Sequence, residues 1–325
     1  MPGFTTHYIF GMKAYNDMPF TPLKHTIAKY RWLYQLGLQG PDMFFYNIPI
    51  LRHRDYRNVG SYMHEHKVNA FFECCLRRIG TIRSRQQQEE AISYLAGFMN
   101  HYIADSICHP YVYGRIGYPV DAPTSMHHGM HAHLENELDA ILLWKYKKKK
   151  PSEFNQTATI CLNGQEIQFI SHFLASCINE TYYPITYRNN FQVTPAMVHR
   201  SIWALRFGCR TLSDKTGKKK FGIAQVESIF VNHPVASAKM VTDSVTDYRS
   251  SCNLNHEAWS NPWDPTRVST ASFVDLFHET LDKCSRVYEL LNSAVTDNVP
   301  LDKQDLSPLL TELGNESYHS GLPVD

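Results

Sequence analysis

Apolar residues recur at helical spacing along most of the chain. Ile92, Leu95, Ala96 and Met99 lie on one face of a helix predicted from Arg85 to Cys108, with Pro110 as its stop. Thr21-Pro22 pairs a capping residue with proline at the first helical position, so a helix is expected through Tyr30, Trp32 and Leu33 to Gly37. Further helices are expected from Val59 to Ile79, from Met126 to Tyr146, from Ser171, after Thr194-Pro195, and from Ser272 to Ala294. Gly40-Pro41-Asp42 and the stretch from Tyr113 to Thr124 carry turn residues between them. Around Asn163-Gly164 apolar and polar residues alternate, which predicts one small two-stranded hairpin within 158–169. After Asn298 the sequence turns polar, and a frayed tail is expected. The pattern as a whole predicts an all-α fold without internal repeats. Residues 1–150 would form a helical core, and residues 151–325 a C-terminal helical elaboration packed with it as one domain.

Composition narrows this little. With 325 residues, 43% hydrophobic and 19% charged, the chain can bury a sizeable core, and disorder throughout is excluded. A net charge of +1 gives no global field toward nucleic acid or an acidic membrane. The lysines around Lys145 to Lys150 and Lys218 to Lys220 read as solvated helix ends or loops. The eight cysteines contain no C-x-x-C pair, and most read as buried thiols. The opening Met-Pro-Gly-Phe-Thr-Thr-His lacks a basic region followed by an apolar one, and no run of about 18 apolar residues occurs. A cytoplasmic location is expected.

The histidines change the picture. Eleven of the 17 fall within the first 133 residues. In His101-Tyr-Ile-Ala-Asp105-Ser-Ile-Cys-His109, the spacing of four puts His101, Asp105 and His109 on one helix face at consecutive turns. In His131-Ala-His-Leu-Glu135-Asn-Glu137, His131 shares a face with Glu135, and His133 shares another with Glu137. A lone histidine on an apolar face is usually a hydrogen-bonded core residue. A row of His, Asp and His beside a His-x-x-x-Glu helix is better explained by a metal ion, because burying those groups without partners costs several kcal/mol in order of magnitude. Imidazole with carboxylate suits zinc, manganese or ferrous iron, and zinc is the first choice.

These segments resemble the zinc-dependent phospholipase C family, whose fold also serves single-strand-specific zinc nucleases. The resemblance rests on His101-Tyr-Ile-Ala-Asp105, the following His109 and His131-x-x-x-Glu135-Asn136, with His7, Asp42 and His64 upstream, and covers roughly residues 1–145. It implies a multi-helix phospholipase C/nuclease-like bundle around a metal cluster. It implies two or three zinc ions per chain: one on Asp42, His64, His101 and Asp105, a second on His109, His131 and Glu135, and a third on Asp105, His7 and the N-terminal amine. The sequence departs from the family pattern in places. His109 follows Asp105 by four positions rather than six, the stretch from Asp42 to His64 is long and lets His66 substitute for His64, and the chain opens Met-Pro, so that loss of Met1 would leave the amine of Pro2 as ligand.

The function implied is a zinc-dependent hydrolase of phosphodiester bonds. Metals about 3.5–4 Å apart clamp a phosphoryl group and lower the pKa of a water, so that hydroxide attacks. Asp42 would orient or deprotonate that water, with Glu135 as the second candidate. The substrate would be a small phosphoester or a phospholipid, with transient membrane contact; nucleic acid ranks lower, and no obligate protein partner is implied. Met43-Phe44-Phe45-Tyr46 would line an apolar pocket or pack in the core. Two other readings compete: a single-strand nuclease-like hydrolase, and a metal-stabilised helical binding module without activity. Asn253 to Trp263, with two tryptophans, is read as a cap on the helical core and given no role.

Overall fold

A computed structural model of the protein describes residues 3–46, 59–182, 192–214, 216–230, 237–243, 245 and 247–325. The helices are α1 (Phe4–Asp17), α2 (Pro22–Lys29), α3 (Arg31–Gly37), α4 (Val59–Glu65), α5 (Val68–Thr81), α6 (Arg85–Arg115), α7 (Ser125–Lys147), α8 (Gly164–Thr181), α9 (Pro195–Leu212), α10 (Lys218–Phe230), α11 (Tyr248–Ser251), α12 (Phe273–Thr296) and α13 (Ser307–Leu313). Strands β1 (Trp259–Asn261) and β2 (Asp264–Ser269) form an antiparallel ribbon with Trp259 opposite Ser269, the one sheet among the described residues. The all-α expectation holds. No helix among the described residues is long and apolar enough to cross a membrane.

The 31-residue α6 is the axis of the molecule. From Glu90 to Val112 every residue but Ile92 and Ile107 is buried. α1, α2, α3, α5, α8 and α12 all pack against it, α3 most extensively. A helix enclosed in this way cannot keep a solvated stripe, so each polar side chain on it needs an internal partner. Ser93 Oγ donates to the Tyr30 carbonyl at 3.0 Å, and Asn100 Nδ2 donates to Cys284 Sγ at 3.1 Å. Two apolar clusters meet along this axis. The larger takes Leu33, Phe72, Leu95 and Phe98 with α8, α9 and α13; the other takes Phe10, Tyr111 and Val112 with Leu138, Leu142, Phe273 and Phe277.

Several expected boundaries move. Thr21 does cap α2, accepting from Lys24 N at 3.2 Å, but Tyr30 leaves the helical backbone region and divides α2 from α3. The helix expected from Val59 to Ile79 is broken at Lys67, whose φ of 50° is left-handed. α6 does not stop at Pro110 but continues to Arg115. Burial of Tyr111 and Val112 outweighs the helix penalty of a proline, about 3 kcal/mol. The hairpin expected at 158–169 is absent. Asn163 Oδ1 accepts from Glu166 N at 2.9 Å while Glu166 Oε2 accepts from Asn163 N at 2.8 Å, a reciprocal cap that starts α8 seven residues before Ser171. The ribbon lies instead in the two-tryptophan segment, whose Trp259 Nε1 donates to the Ala271 carbonyl at 2.9 Å.

The tail is not frayed. Leu301, Leu306, Leu309 and Leu313 are buried in the larger cluster, and Tyr318 has 1% exposure. Lys67 N donates to the Asp325 carbonyl at 2.9 Å, and Asn69 N to Asn315 Oδ1 at 3.0 Å.

The contact of α3 with α6 is close enough to require glycine. A Cβ at Gly97 would stand 2.1 Å from the Tyr34 carbonyl oxygen. Gly97→Ala is therefore expected to push α3 off the axis and lower stability by about 1–3 kcal/mol or more. Urea unfolding of both proteins measures this; an unchanged midpoint would contradict the packing described.

Candidate metal centre

Three consecutive turns of α6 aim His101, Asp105 and His109 to one side, as the spacing of four requires. His101 Nε2 lies 3.1 Å from Asp105 Oδ2. α1 brings His7 onto the same carboxylate, with Nε2 3.1 Å from Asp105 Oδ1 and its ring stacked on His101 at 4.0 Å. The 3-10 turn Gly40–Tyr46 presents Asp42, and α4 presents His64, whose Nε2 is 3.2 Å from Asp42 Oδ1 and 3.8 Å from Asp105 Oδ2. α7 supplies His131 and Glu135, with His131 Nε2 2.6 Å and His109 Nε2 3.5 Å from Glu135 Oε1. Two groups result, Asp42 with His64, His101 and Asp105, and His109 with His131 and Glu135; within each, one ligand-type atom per residue lies within 4.8 Å of the others. All seven residues are buried.

Local structure fixes these positions. Gly40 has a φ of +46°, and a Cβ there would stand 2.2 Å from the His101 ring, so only glycine lets the Asp42 turn close over that ring. Asp139 accepts from Thr5 N at 3.1 Å and Thr6 N at 2.7 Å, which satisfies the first amides of α1 and sets the register of His7. Three rings are held by backbone carbonyls: His64 Nδ1 by Gly60 at 2.6 Å, His101 Nδ1 by Leu38 at 3.1 Å, and His109 Nδ1 by Tyr318 at 2.7 Å. A carbonyl only accepts, so each Nδ1 carries the proton, and each Nε2 turns a lone pair inward.

The side chains fit a metal. Nε2 of His7, His64, His101 and His109, Oδ1 of Asp42 and both oxygens of Asp105 are buried without a hydrogen-bond partner among the described residues; they meet at the distances above but without hydrogen-bond alignment. Ligands held by one zinc at about 2.0–2.1 Å lie roughly 3.3 Å apart at tetrahedral angles. Separations of 3.1, 3.2, 3.8 and 4.0 Å in the first group are of that order. Burial holds His109 and His131 well below the usual histidine pKa, in the neutral form that ligates. Burial likewise pushes the Glu135 carboxyl well above its usual range, a demand for positive charge that a cation meets. Burial opposes the charge on Asp105 too, but His109, His101 and His7 outweigh it and hold its pKa well below the ordinary carboxylate value.

The eight side chains expected at the site are brought together. His64 takes the position left open between two histidines; His66 faces outward, its Nδ1 3.1 Å from Asp325 Oδ1. The N-terminal amine and Pro2 lie outside the described residues. The His133–Glu137 pair points elsewhere: His133 is largely exposed, and Glu137 accepts from Ser251 Oγ. Met43 and Phe44 are core residues, whereas the Phe45 ring lies 5.4 Å from His64. Sequence reasoning missed Asp139, Tyr113, Tyr318 and His319. Tyr113 lies 4.5 Å from the His131 ring, with Trp263 4.8 Å beyond it, and His319 stacks on His64 at 4.9 Å. The spacing of Leu306, Leu309 and Leu313 is a helical signal that the frayed-tail reading passed over, but nothing in it marks His319 as a neighbour of His64.

Residues 6–186 match the model of a family described as zinc dependent phospholipase C. That span holds all eight expected site residues and leaves out the ribbon, α12 and the tail. No curated protein and no solved structure matches the chain.

Two predictions follow from this geometry. Gly40→Ala should displace His101 and weaken metal retention by roughly 10–100-fold, the usual cost of disturbing what orients a ligand; dialysis against graded chelator with elemental analysis reads this. Asp139 carries the second. Burial raises its pKa to about 6 from 3.8, against the opposing bonds from Thr6 and Thr5. An acid raised on folding stabilises fully below its unfolded pKa and loses that contribution as pH rises through the folded value. Stability of the wild type relative to Asp139→Asn should therefore fall between about pH 4 and 6.5, by on the order of 3 kcal/mol. Parallel denaturation curves across that range would refute the assignment.

Proposed function

The chain belongs to the zinc-dependent phospholipase C family, and we propose that it is a zinc-dependent phosphoester hydrolase acting on phosphodiester bonds. The observation that carries the reading is the pair of buried His/carboxylate groups, one of them built on Asp105. Asp42, His64, His101 and Asp105 would hold one zinc, and His109, His131 and Glu135 a second. His7, 3.1 Å from Asp105 Oδ1, would share that carboxylate with a third. When bound, zinc supplies a Lewis acid for phosphoryl oxygens and lowers the pKa of water toward neutrality.

The protein's own groups do the rest. Backbone carbonyls fix three imidazoles so that the site need not reorganise on binding. Asp42 would orient the attacking water and take its proton; its Oδ1 lies 3.2 Å from His64 Nε2 and its Oδ2 4.0 Å from His101 Nε2. Glu135 is the second candidate for that role, beside its place among the ligands of the second zinc. Tyr113, Tyr118 and Trp263 form an aromatic cluster beside His131, with Tyr113 and Trp263 perpendicular at 4.8 Å. Such a wall suits an ester with an apolar portion, a phospholipid or a small phosphoester. The eight cysteines, none in a disulfide, agree with a cytoplasmic setting.

Elemental analysis of tag-free protein beside His101→Ala/Asp105→Ala tests the reading. About two or three zinc ions per chain are expected, absent from the double variant, together with hydrolysis of a generic phosphodiester that the variant lacks. Thermal stability should rise with added zinc in the wild type alone, by about 2.7 kcal/mol at a hundredfold excess over the dissociation constant. A protein that holds no zinc and melts identically with and without chelator would overturn the proposal.

A further inference from the structure

The tail enters the metal centre with a histidine that neither ligand group uses. Residues 315–325 are fastened at several points. Asn315 Nδ2 donates to the Val324 carbonyl at 2.7 Å, Ser317 N to the Leu322 carbonyl at 2.8 Å, and Asn261 Nδ2 to the Ser320 carbonyl at 2.7 Å. Tyr318 lies between the two ligand groups: its N–H donates to the His64 carbonyl at 2.9 Å, and its carbonyl accepts from His109 Nδ1 at 2.7 Å. The next residue, His319, lays its ring nearly parallel to His64 at 4.9 Å, with 13° between the planes, and 5.7 Å from the His109 ring. One imidazole thus adjoins a residue of each group. Unlike the ligand histidines it is only half-buried.

We propose that His319 holds the phosphoryl oxygens of the substrate across the two ligand groups, with Tyr113 setting its tautomer. This rests on the phosphoester-hydrolase reading above. Tyr113 Oη lies 3.3 Å from His319 Nδ1. In the proposed arrangement Tyr113 Oη donates to Nδ1, which puts the ring proton of neutral His319 on Nε2. That is the reverse of the three ligand histidines, where a carbonyl holds the proton on Nδ1 and leaves Nε2 as a lone pair. The first three rings are set to face a cation; His319, so arranged, would offer an N–H to an anion. A phosphoryl group lying over both ligand groups is the anion the proposed reaction brings there. Because the tail lies outside residues 6–186, this contact would be an addition of this chain to the matched segment.

The test uses the zinc-loaded full chain with inorganic phosphate as probe. Zinc per chain is measured by elemental analysis, and phosphate affinity by calorimetry, for wild type, His319→Phe, His319→Gln and Tyr113→Phe. Phenylalanine keeps a flat ring on His64 and removes the N–H; glutamine keeps an N–H donor. Expected are full zinc content in every variant, phosphate binding weakened roughly 10–100-fold in His319→Phe, partial recovery in His319→Gln, and an intermediate loss in Tyr113→Phe. Phosphate affinity unchanged in His319→Phe, with zinc retained, overturns this proposal and leaves the hydrolase reading standing. Zinc lost together with phosphate in His319→Phe also overturns it, since His319 would then be part of the metal scaffold. A wild type without zinc would sink both.

Discussion

Asp105 carries a carboxylate that water does not reach, in the middle of a helix buried almost all round. An uncompensated charge in such a place costs many kcal/mol, and the surrounding structure reads as the set of groups brought in to meet that cost. His101 and His109 come from the turns before and after on the same helix; His7 and His64 come from α1 and α4. Each of the four is itself buried and needs something to do with its other ring nitrogen. For His64 and His101 that is a backbone carbonyl, and a third carbonyl, that of Tyr318, holds the His109 Nδ1 that faces Asp105, so the requirement passes outward from one charge to the course of the main chain around it. In this sense the polar centre specifies the arrangement, and the apolar clusters on either side supply the stability.

The part of this that shows in the sequence is the part written in local periodicity. His101, Asp105 and His109 on one face, and His131 with Glu135 on another, follow from 3.6 residues per turn and needed no knowledge of the fold. The resemblance to a zinc-dependent family added His7, Asp42 and His64, which no spacing connects to the others, and the structure gathers all eight. What could not be read depends on distant partners. No spacing marks Asp139, which accepts from the start of α1. The tail looked polar, and its Tyr318 is among the most deeply buried side chains. The expected hairpin at 158–169 failed for a nearer reason: Asn-Gly suits a tight turn, but Glu166 three residues later favours a helix start, and that competition was decided by the cap. Pro110 misled in the opposite direction, since the packing of Tyr111 and Val112 overrode a rule drawn from isolated helices.

The segment matched to the family and the remainder of the chain divide the work unevenly. Residues up to Glu135 carry all the proposed ligands. The later elements line and brace the centre: Trp263 of the ribbon turn stands against Tyr113, Asn261 holds the Ser320 carbonyl, and Tyr318 holds His109. The proposed ligands reside in one segment and their enclosure in another, a division that would let substrate preference change without disturbing the ligands.

The bond between His109 and Tyr318 spans 209 positions, and that between Thr6 and Asp139 spans 133. Contacts so far apart in sequence form late, because the loop between them must be ordered before they stabilise anything. On a growing chain the ligand side chains would therefore exist well before the carbonyl that orients His109. The order of events matters for which ion is captured. An open set of imidazoles and carboxylates discriminates poorly among divalent metals, and selection by geometry begins only when the rings are locked. If the proposed ligands take up metal in this way, the tail would act as a timing device, one that postpones strict choice of metal until the rest of the molecule is in place.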